Sequence, residues 1–144
     1  MIPPPPRVFG PITRTDVVRY QGASGDLNPV HHDEPFALGA GYPAPLVVGM
    51  LPAGVMFAWA SDWLGPANVR RVRCRWQAPV FPGDVLTTSG TIAREYDDGG
   101  ERRVDLELVS TKQDGAVAVR GWATFVAPPT PPPLAPSTDG KESR

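Results

Sequence analysis

Only one cysteine, Cys74, and two histidines, His31 and His32, occur among the 144 residues, and these scarcities narrow the chemistry at once. A lone thiol forms no intrachain disulfide and supplies no thiolate zinc cluster, and such a composition predicts a reducing cytoplasm. The histidines stand side by side in His31-His32-Asp33-Glu34, where neighbouring side chains point apart, so no metal site is expected there. An excess of charge of either sign is also missing. Lys plus Arg total 14 against 15 Asp plus Glu, a formal net charge of -1, which leaves no extended basic footprint for nucleic acid and no polybasic face for a membrane. The expected ligand is therefore a small molecule.

Long uninterrupted apolar runs are lacking too. Positions 36–61 carry no charge, a length that would cross a bilayer, yet Pro43, Pro45 and Pro52 interrupt the run and Gly39, Gly41, Gly49 and Gly54 weaken it. A buried core helix after Met50 is the better reading. The opening M-I-P-P-P-P-R has neither the basic start nor the apolar stretch of a secretory signal, so export is not expected.

Proline is plentiful, with 19 residues, and it marks the ends. Residues 1–7 read as an extended, Pro-rich lead-in and residues 128–144 as a disordered, Pro-rich and polar tail with almost nothing to bury. Between them lies a single domain at 8–127. A 41% hydrophobic composition suits one core burying about two-thirds of the unfolded surface.

Inside that domain the periodicity changes once. Thr13 or Thr15 caps a short helix through Tyr20 that ends in the Gly22 to Gly25 region, a second covers Glu34 to Leu38, and a third runs from Met50 to Asp62 or Trp63 with Pro52 in its first turn. Apolar residues occur all round the third helix, which predicts its burial. From Asn68 onward the period is two. Val72, Cys74 and Trp76 alternate with Arg71, Arg73 and Arg75 in a strand with one expected core face, Val85 to Arg94 follows the Pro82-Gly83-Asp84 turn, and Val104, Leu106 and Leu108 alternate with charged residues. Asp114-Gly115 then signals a hairpin into Val117 to Val126. Helices followed by antiparallel strands indicate an α+β fold, its sheet wrapped around a central apolar helix.

The chemistry concentrates in Y-Q-G-A-S-G-D-L-N-P-V-H-H-D-E-P-F-A, from Tyr20 to Ala37. Asp26 precedes His31 by five residues across an Asn28-Pro29 turn, and a carboxylate and an imidazole converging on one water can move protons to and from a substrate. Asn28 fits the role of bracing the turn. Downstream, Pro52 fixes the helix start and leaves Gly49 with a free N–H at the positive end of the helix dipole, a donor for an oxygen that gains charge.

The Tyr20 to Ala37 segment resembles the signature of the MaoC-like, or R-specific, enoyl-CoA hydratase family, whose fold is a single hot-dog domain. In that family the aspartate and histidine falling on Asp26 and His31 bind the water that adds across, or leaves from, the double bond of an acyl thioester. Asn28 stands at the family's asparagine in the G-D-x-N-P-x-H core. Pro45 to Met50, P-L-V-V-G-M, resembles the family's entry to the central helix, whose glycine amide is the oxyanion donor; that glycine is Gly49. Where many relatives carry His-Gly-Met this chain has Val48-Gly49-Met50, a change in the pocket beside the thioester that spares the amide. Ser61 to Pro66, S-D-W-L-G-P, is similar to the same place in actinobacterial members, among them the small subunit of a steroid side-chain enoyl-CoA hydratase.

The resemblance implies reversible hydration of trans-2-enoyl thioesters, equivalently dehydration of (R)-3-hydroxyacyl thioesters. No metal or redox cofactor is implied; coenzyme A or an acyl carrier protein enters as part of the substrate. It also implies a homodimer, or a heterodimer with a second MaoC-like subunit, with no nucleic acid or membrane partner. Rival readings are a carrier-protein-dependent dehydratase, a hot-dog thioesterase and a non-catalytic subunit of a heteromeric hydratase. A thioesterase usually needs a carboxylate on or near the central helix, and Met50 to Ala60 has none. The Arg71, Arg73 and Arg75 stripe reads as the wet face of a strand, with the phosphates of coenzyme A or an acidic carrier as its alternative partners. Trp59, Trp63, Trp76 and Trp122 are expected in core and interface.

Overall fold

Local capping decides where each helix starts and stops in the computed structural model, which describes residues 1–128. Helix α1 spans Arg14–Ser24. Thr13 caps it: the Thr13 hydroxyl accepts from the Asp16 N–H at 3.1 Å, and the Asp16 carboxylate accepts from the Thr13 N–H at 2.8 Å. The hydroxyl and amide of Thr13 hold the Asp16 carboxyl below its ordinary range. The helix continues past Gly22 and ends at Gly25, which adopts φ 76°. Replacing Thr13 with alanine is expected to lower stability by about 1 kcal/mol in urea melts, and an unmoved midpoint would remove this cap from the account.

Helix α2, Glu34–Gly39, is capped by Asp33, whose carboxylate accepts from the Phe36 N–H at 2.9 Å. Helix α3, Met50–Leu64, begins at Gly49, carries Pro52 in its first turn and ends at Gly65. Its core face is Ala53, Met56, Trp59, Ala60 and Leu64. The expected burial all round is corrected by the structure: Met50 and Gly54 are exposed, and Val55 and Phe57 only half-buried, because the sheet covers one side of the helix. No helix among the described residues is long and apolar enough to cross a membrane.

The strands are β1, Arg7–Phe9; β2, Val69–Trp76; β3, Leu86–Asp98; β4, Glu101–Lys112; and β5, Val117–Val126. They form one antiparallel sheet in the order β1-β3-β4-β5-β2. The inner face presents Leu86, Val104, Leu106, Leu108, Val119, Ala123 and Phe125, all buried, against α3. Two glycines let the helix come close. A Cβ on Gly90 would lie 2.9 Å from the Trp59 ring and 2.5 Å from Leu108, and one on Gly121 would lie 2.5 Å from the Met56 methyl. Bare backbone at these positions seats the two largest side chains of the α3 core face on the sheet.

Two expectations need correction. Strand β2 forms, but Val72 and Trp76 are each 48% exposed, so the expected core face is largely open. The reason is position: β2 is an edge strand bonded to β5 alone, and the core ends beneath β5. Strand β1 lay outside the periodic pattern, and a strand this short has no alternation to read. It pairs with β3 through Arg7, Val8 and Phe9, and just before it the Pro5 carbonyl accepts from the Trp59 indole N–H at 3.0 Å. The tail expected at 128–144 lies, from 129 onward, outside the described residues.

Candidate active site

Two clamps shape the loop between α1 and α2. Asn28 caps a single 3₁₀ turn, Pro29–His31, by accepting the Val30 N–H on its side-chain oxygen at 3.1 Å, which is the bracing role expected of it. The Asp26 carboxylate accepts the Asn28 N–H at 3.3 Å, so the turn aims the carboxylate from within. On the far side, the His31 ring meets the Leu46 carbonyl through Nδ1 at 2.9 Å, and Leu46 in turn donates its N–H to the Val30 carbonyl at 3.2 Å. The 3₁₀ turn and the approach to α3 are thereby tied together.

The Leu46 bond also decides the histidine's chemistry. A carbonyl only accepts, so Nδ1 carries the proton and Nε2 is left as a lone pair in the neutral ring. That Nε2 lies 3.7 Å from the Asp26 carboxylate. The gap is too long for a direct hydrogen bond and suits a water held by both groups. The His31 side chain is only 9% exposed, whereas Asp26 is 44% exposed, so the pair has one dry member and one open to solvent.

Gly49 stands at the start of α3, where Val48, Gly49 and Met50 precede Pro52. Among the described residues its N–H takes no acceptor, while the Val48 carbonyl receives the Leu51 N–H at 2.9 Å. The Gly49 carbonyl accepts the Trp76 indole N–H at 2.7 Å. A Cβ on Gly49 would sit 3.1 Å from that indole nitrogen, so the missing side chain makes room for Trp76. Val48 is fully buried and belongs to the core. Beside Gly49 opens a cleft of about 330 Å³ with walls that include Tyr42, Leu46, Pro52, Trp76 and Pro79. A smaller hollow of about 70 Å³ lies against His31, with Arg14, Val17 and Pro82 in its wall.

Sequence reasoning missed Gln21. Its side chain is buried under the loop, with Nε2 donating to the Asp26 carbonyl at 2.9 Å and reaching the Asn28 carbonyl at 3.5 Å and the His32 ring at 3.2 Å. A signal was available, since Gln21 follows the buried Val17 by four residues and shares its helix face. His32 is otherwise exposed, and Asp33 serves α2 as its cap. Among the described residues no three His, Cys, Asp or Glu side chains gather as a metal site. The arginine stripe is exposed as expected, with Arg73 lying 4.7 Å over the Trp122 ring, and the thiol of Cys74 is pushed up by partial burial.

Comparisons with known proteins bear on the fold and the family. The chain is 39% identical over 80 residues to 3-hydroxyacyl-thioester dehydratase Y of Mycobacterium tuberculosis, covering 53% of this chain and 28% of that one. It is 29% identical over 119 residues to an (R)-specific enoyl-CoA hydratase of Rhodospirillum rubrum, covering 81% of each. The first curated relatives are much longer, and the chain spans about a third or less of their length. Among solved structures, the (R)-hydratase of A. caviae involved in PHA biosynthesis superposes with a TM-score of 0.76 at 25% identity, over 89% of this chain and 98% of that one. The α+β expectation is met by this hot-dog arrangement, and solved neighbours of the same fold include two-chain complexes. The family model described as "MaoC like domain" matches residues 4–113, the stretch that contains the Asp26–His31 loop, Gly49 and four of the five strands, and the chain therefore belongs to the MaoC-like family.

Proposed function

We propose that this chain hydrates trans-2-enoyl thioesters and, in reverse, dehydrates (R)-3-hydroxyacyl thioesters. The observation that carries the reading is the 3.7 Å gap between the Asp26 carboxylate and His31 Nε2, with the opposite ring nitrogen committed to the Leu46 carbonyl. A water seated beside that gap, about 2.8 Å from each atom, has two acceptors for its protons. As its oxygen bonds to the β-carbon, the pair takes up one of its protons and returns a proton to the α-carbon, so that one water adds across the double bond and the pair ends in its starting protonation state. Negative charge that develops on the thioester carbonyl is met by the free Gly49 N–H at the start of α3, a donor of the kind worth a few kcal/mol in a dry site. The apolar cleft beside Gly49 receives the acyl thioester. Carboxylate, imidazole, amide and water are sufficient for this chemistry, and the coenzyme A or carrier arm belongs to the substrate.

The chain pairs, in this reading, with a second MaoC-like domain along the open β2 edge, either a second copy or a different chain. A reducing cytoplasm is the compartment that suits its lone thiol. The test is loss of enoyl-thioester absorbance with purified protein, using short, long and steroid acyl-CoAs and an acyl-carrier thioester, alone and with a MaoC-like partner. Steady loss without release of free thiol is the expected result. Thiol release at constant enoyl absorbance would identify a thioesterase instead, and no turnover of any substrate would end the hydratase reading.

A further inference from the structure

Gln21 is a buried side chain that hydrogen-bonds to the backbone of the turn carrying Asp26, and nothing in the proposed chemistry uses it. Its amide nitrogen has two hydrogens and three acceptors within reach: the Asp26 carbonyl at 2.9 Å, the Asn28 carbonyl at 3.5 Å and His32 Nδ1 at 3.2 Å. The carbonyls lie at either end of the residues that aim the Asp26 carboxylate. They only accept, so the amide nitrogen must face them, and His32 Nδ1 must then offer a lone pair to that same nitrogen. Neutral His32 therefore carries its proton on Nε2, whereas neutral His31 carries its own on Nδ1. The two neighbouring rings are held in opposite tautomers by two clamps, the Leu46 carbonyl for His31 and the Gln21 amide for His32.

Building on the hydratase reading, we propose that Gln21 is the positioning residue that sets the separation between Asp26 and His31. Helix α1 is anchored at its start by Thr13 and at its buried face by Val17, so an amide projecting from it is a fixed point. The loop from Gly25 to Asn28 is exposed, and its other ties are local. The Asp26 N–H donates to the Ser24 hydroxyl at 3.2 Å, the Leu27 N–H to the Gly25 carbonyl at 3.1 Å and the Asn28 N–H to the Asp26 carboxylate at 3.3 Å. The Gln21 amide is thus the fixed point that decides where the Asp26 carboxylate sits relative to His31. Displacements of about 1 Å at a reacting group cost up to ~10²-fold in rate. Gln21 touches neither water nor substrate in this arrangement and acts through Asp26.

The test compares wild type with Gln21→Met, which keeps length and burial but has no N–H, by steady-state hydration kinetics and by ring ¹⁵N NMR. With two histidines in the chain, the spectrum holds two ring systems. In wild type at pH above 7 one ring is expected as the Nδ1–H tautomer and the other as Nε2–H. In Gln21→Met the Nε2–H ring loses its partner and its Nδ1 signal moves, while kcat falls by about 10-fold or more and KM changes by less than about threefold. Adding Asp26→Asn should leave little further loss attributable to Gln21. An active wild type with Gln21→Met at the same kcat overturns the positioning role. Two rings in the same tautomer overturn the clamp itself, a result that needs neither turnover nor a folded variant. A wild type that turns over no thioester is the distinct outcome that removes the hydratase reading and this catalytic role with it.

Discussion

Asp26→Asn and His31→Ala are each expected to lower kcat for the proposed enoyl-thioester hydration by about 10²–10⁴-fold, with small changes in KM. Asparagine keeps the shape of the side chain and an oxygen for the Asn28 N–H, so the turn should survive while the charge proposed to orient and deprotonate water is gone. Alanine at 31 removes the Nε2 lone pair and also leaves the Leu46 carbonyl without its donor. Because the two groups are proposed to serve one water, the double variant is expected to be little worse than the poorer single one. Asp26 is 44% exposed and its replacement should cost little stability, which separates loss of chemistry from loss of fold. Initial rates of enoyl absorbance loss decide the matter: either single variant within about threefold of wild type would detach the pair from catalysis.

The second large effect is structural. Asp84, buried in the β2–β3 connection, accepts from the Phe81 N–H at 2.8 Å and from the Gln113 side chain at 2.8 Å, and pairs with Lys112 at 3.0 Å. Its backbone carbonyl takes the Ile12 N–H at 2.9 Å, so one residue joins the N-terminal segment, the loop before β3 and the hairpin after β4. Burial alone would push its carboxyl up; the Phe81 amide, the Gln113 side chain and the Lys112 ammonium outweigh that and hold it below the ordinary carboxylate range. Removing it leaves a mostly buried ammonium and two donors without acceptors, so Asp84→Ala is expected to cost about 3 kcal/mol at neutral pH.

The sign with pH follows from linkage. A carboxyl with a lowered folded-state pKa contributes fully above its unfolded value, about 3.9, and loses that contribution as pH falls toward its folded value. Wild type should therefore destabilise below about pH 4, and the gap between wild type and Asp84→Ala should narrow there. Asp105 is held low as well: the Thr124 hydroxyl and Arg94 outweigh its burial, so an acid limb persists in the variant. Urea melts from pH 3 to 7 provide the check, and an equal gap at both ends would refute the linkage to Asp84.

What could be read from the residues depended on where the signal is stored. Strands β3, β4 and β5 and helix α3 carry it locally, as alternation or as Gly49 and Pro52 around a helix start, and their places were legible. The Asp26, Asn28 and His31 loop was legible as a motif. Gln21 and Asp84 were not, because what makes each matter is a partner brought in by the fold: His32, 11 residues away, for one, and Gln113, 29 residues away, for the other. Trp76 shows the same limit. Alternation placed it on the inner face with Cys74, but nothing local says that β2 is an edge, nor that the indole would bond to Gly49, 27 residues earlier.

The open edge of β2 also acts as a filter on what can extend the sheet. Arg71, Arg73 and Arg75 share the outer face with Thr124, Trp122 and Arg120 of β5, while Val72, Cys74 and Trp76 point inward. In an antiparallel ladder, directly opposite residues share a face. A second copy overlapping the whole strand with its apolar side matched must therefore set arginine against arginine, Arg71 of one copy facing Arg73 or Arg75 of the other. Shifting by one residue relieves the repulsion only by inverting the newcomer, which sets arginine beside Val72 or Trp76. Parity alone thus discourages indiscriminate self-stacking of this strand, and a strand with acidic residues at the facing positions meets no such penalty.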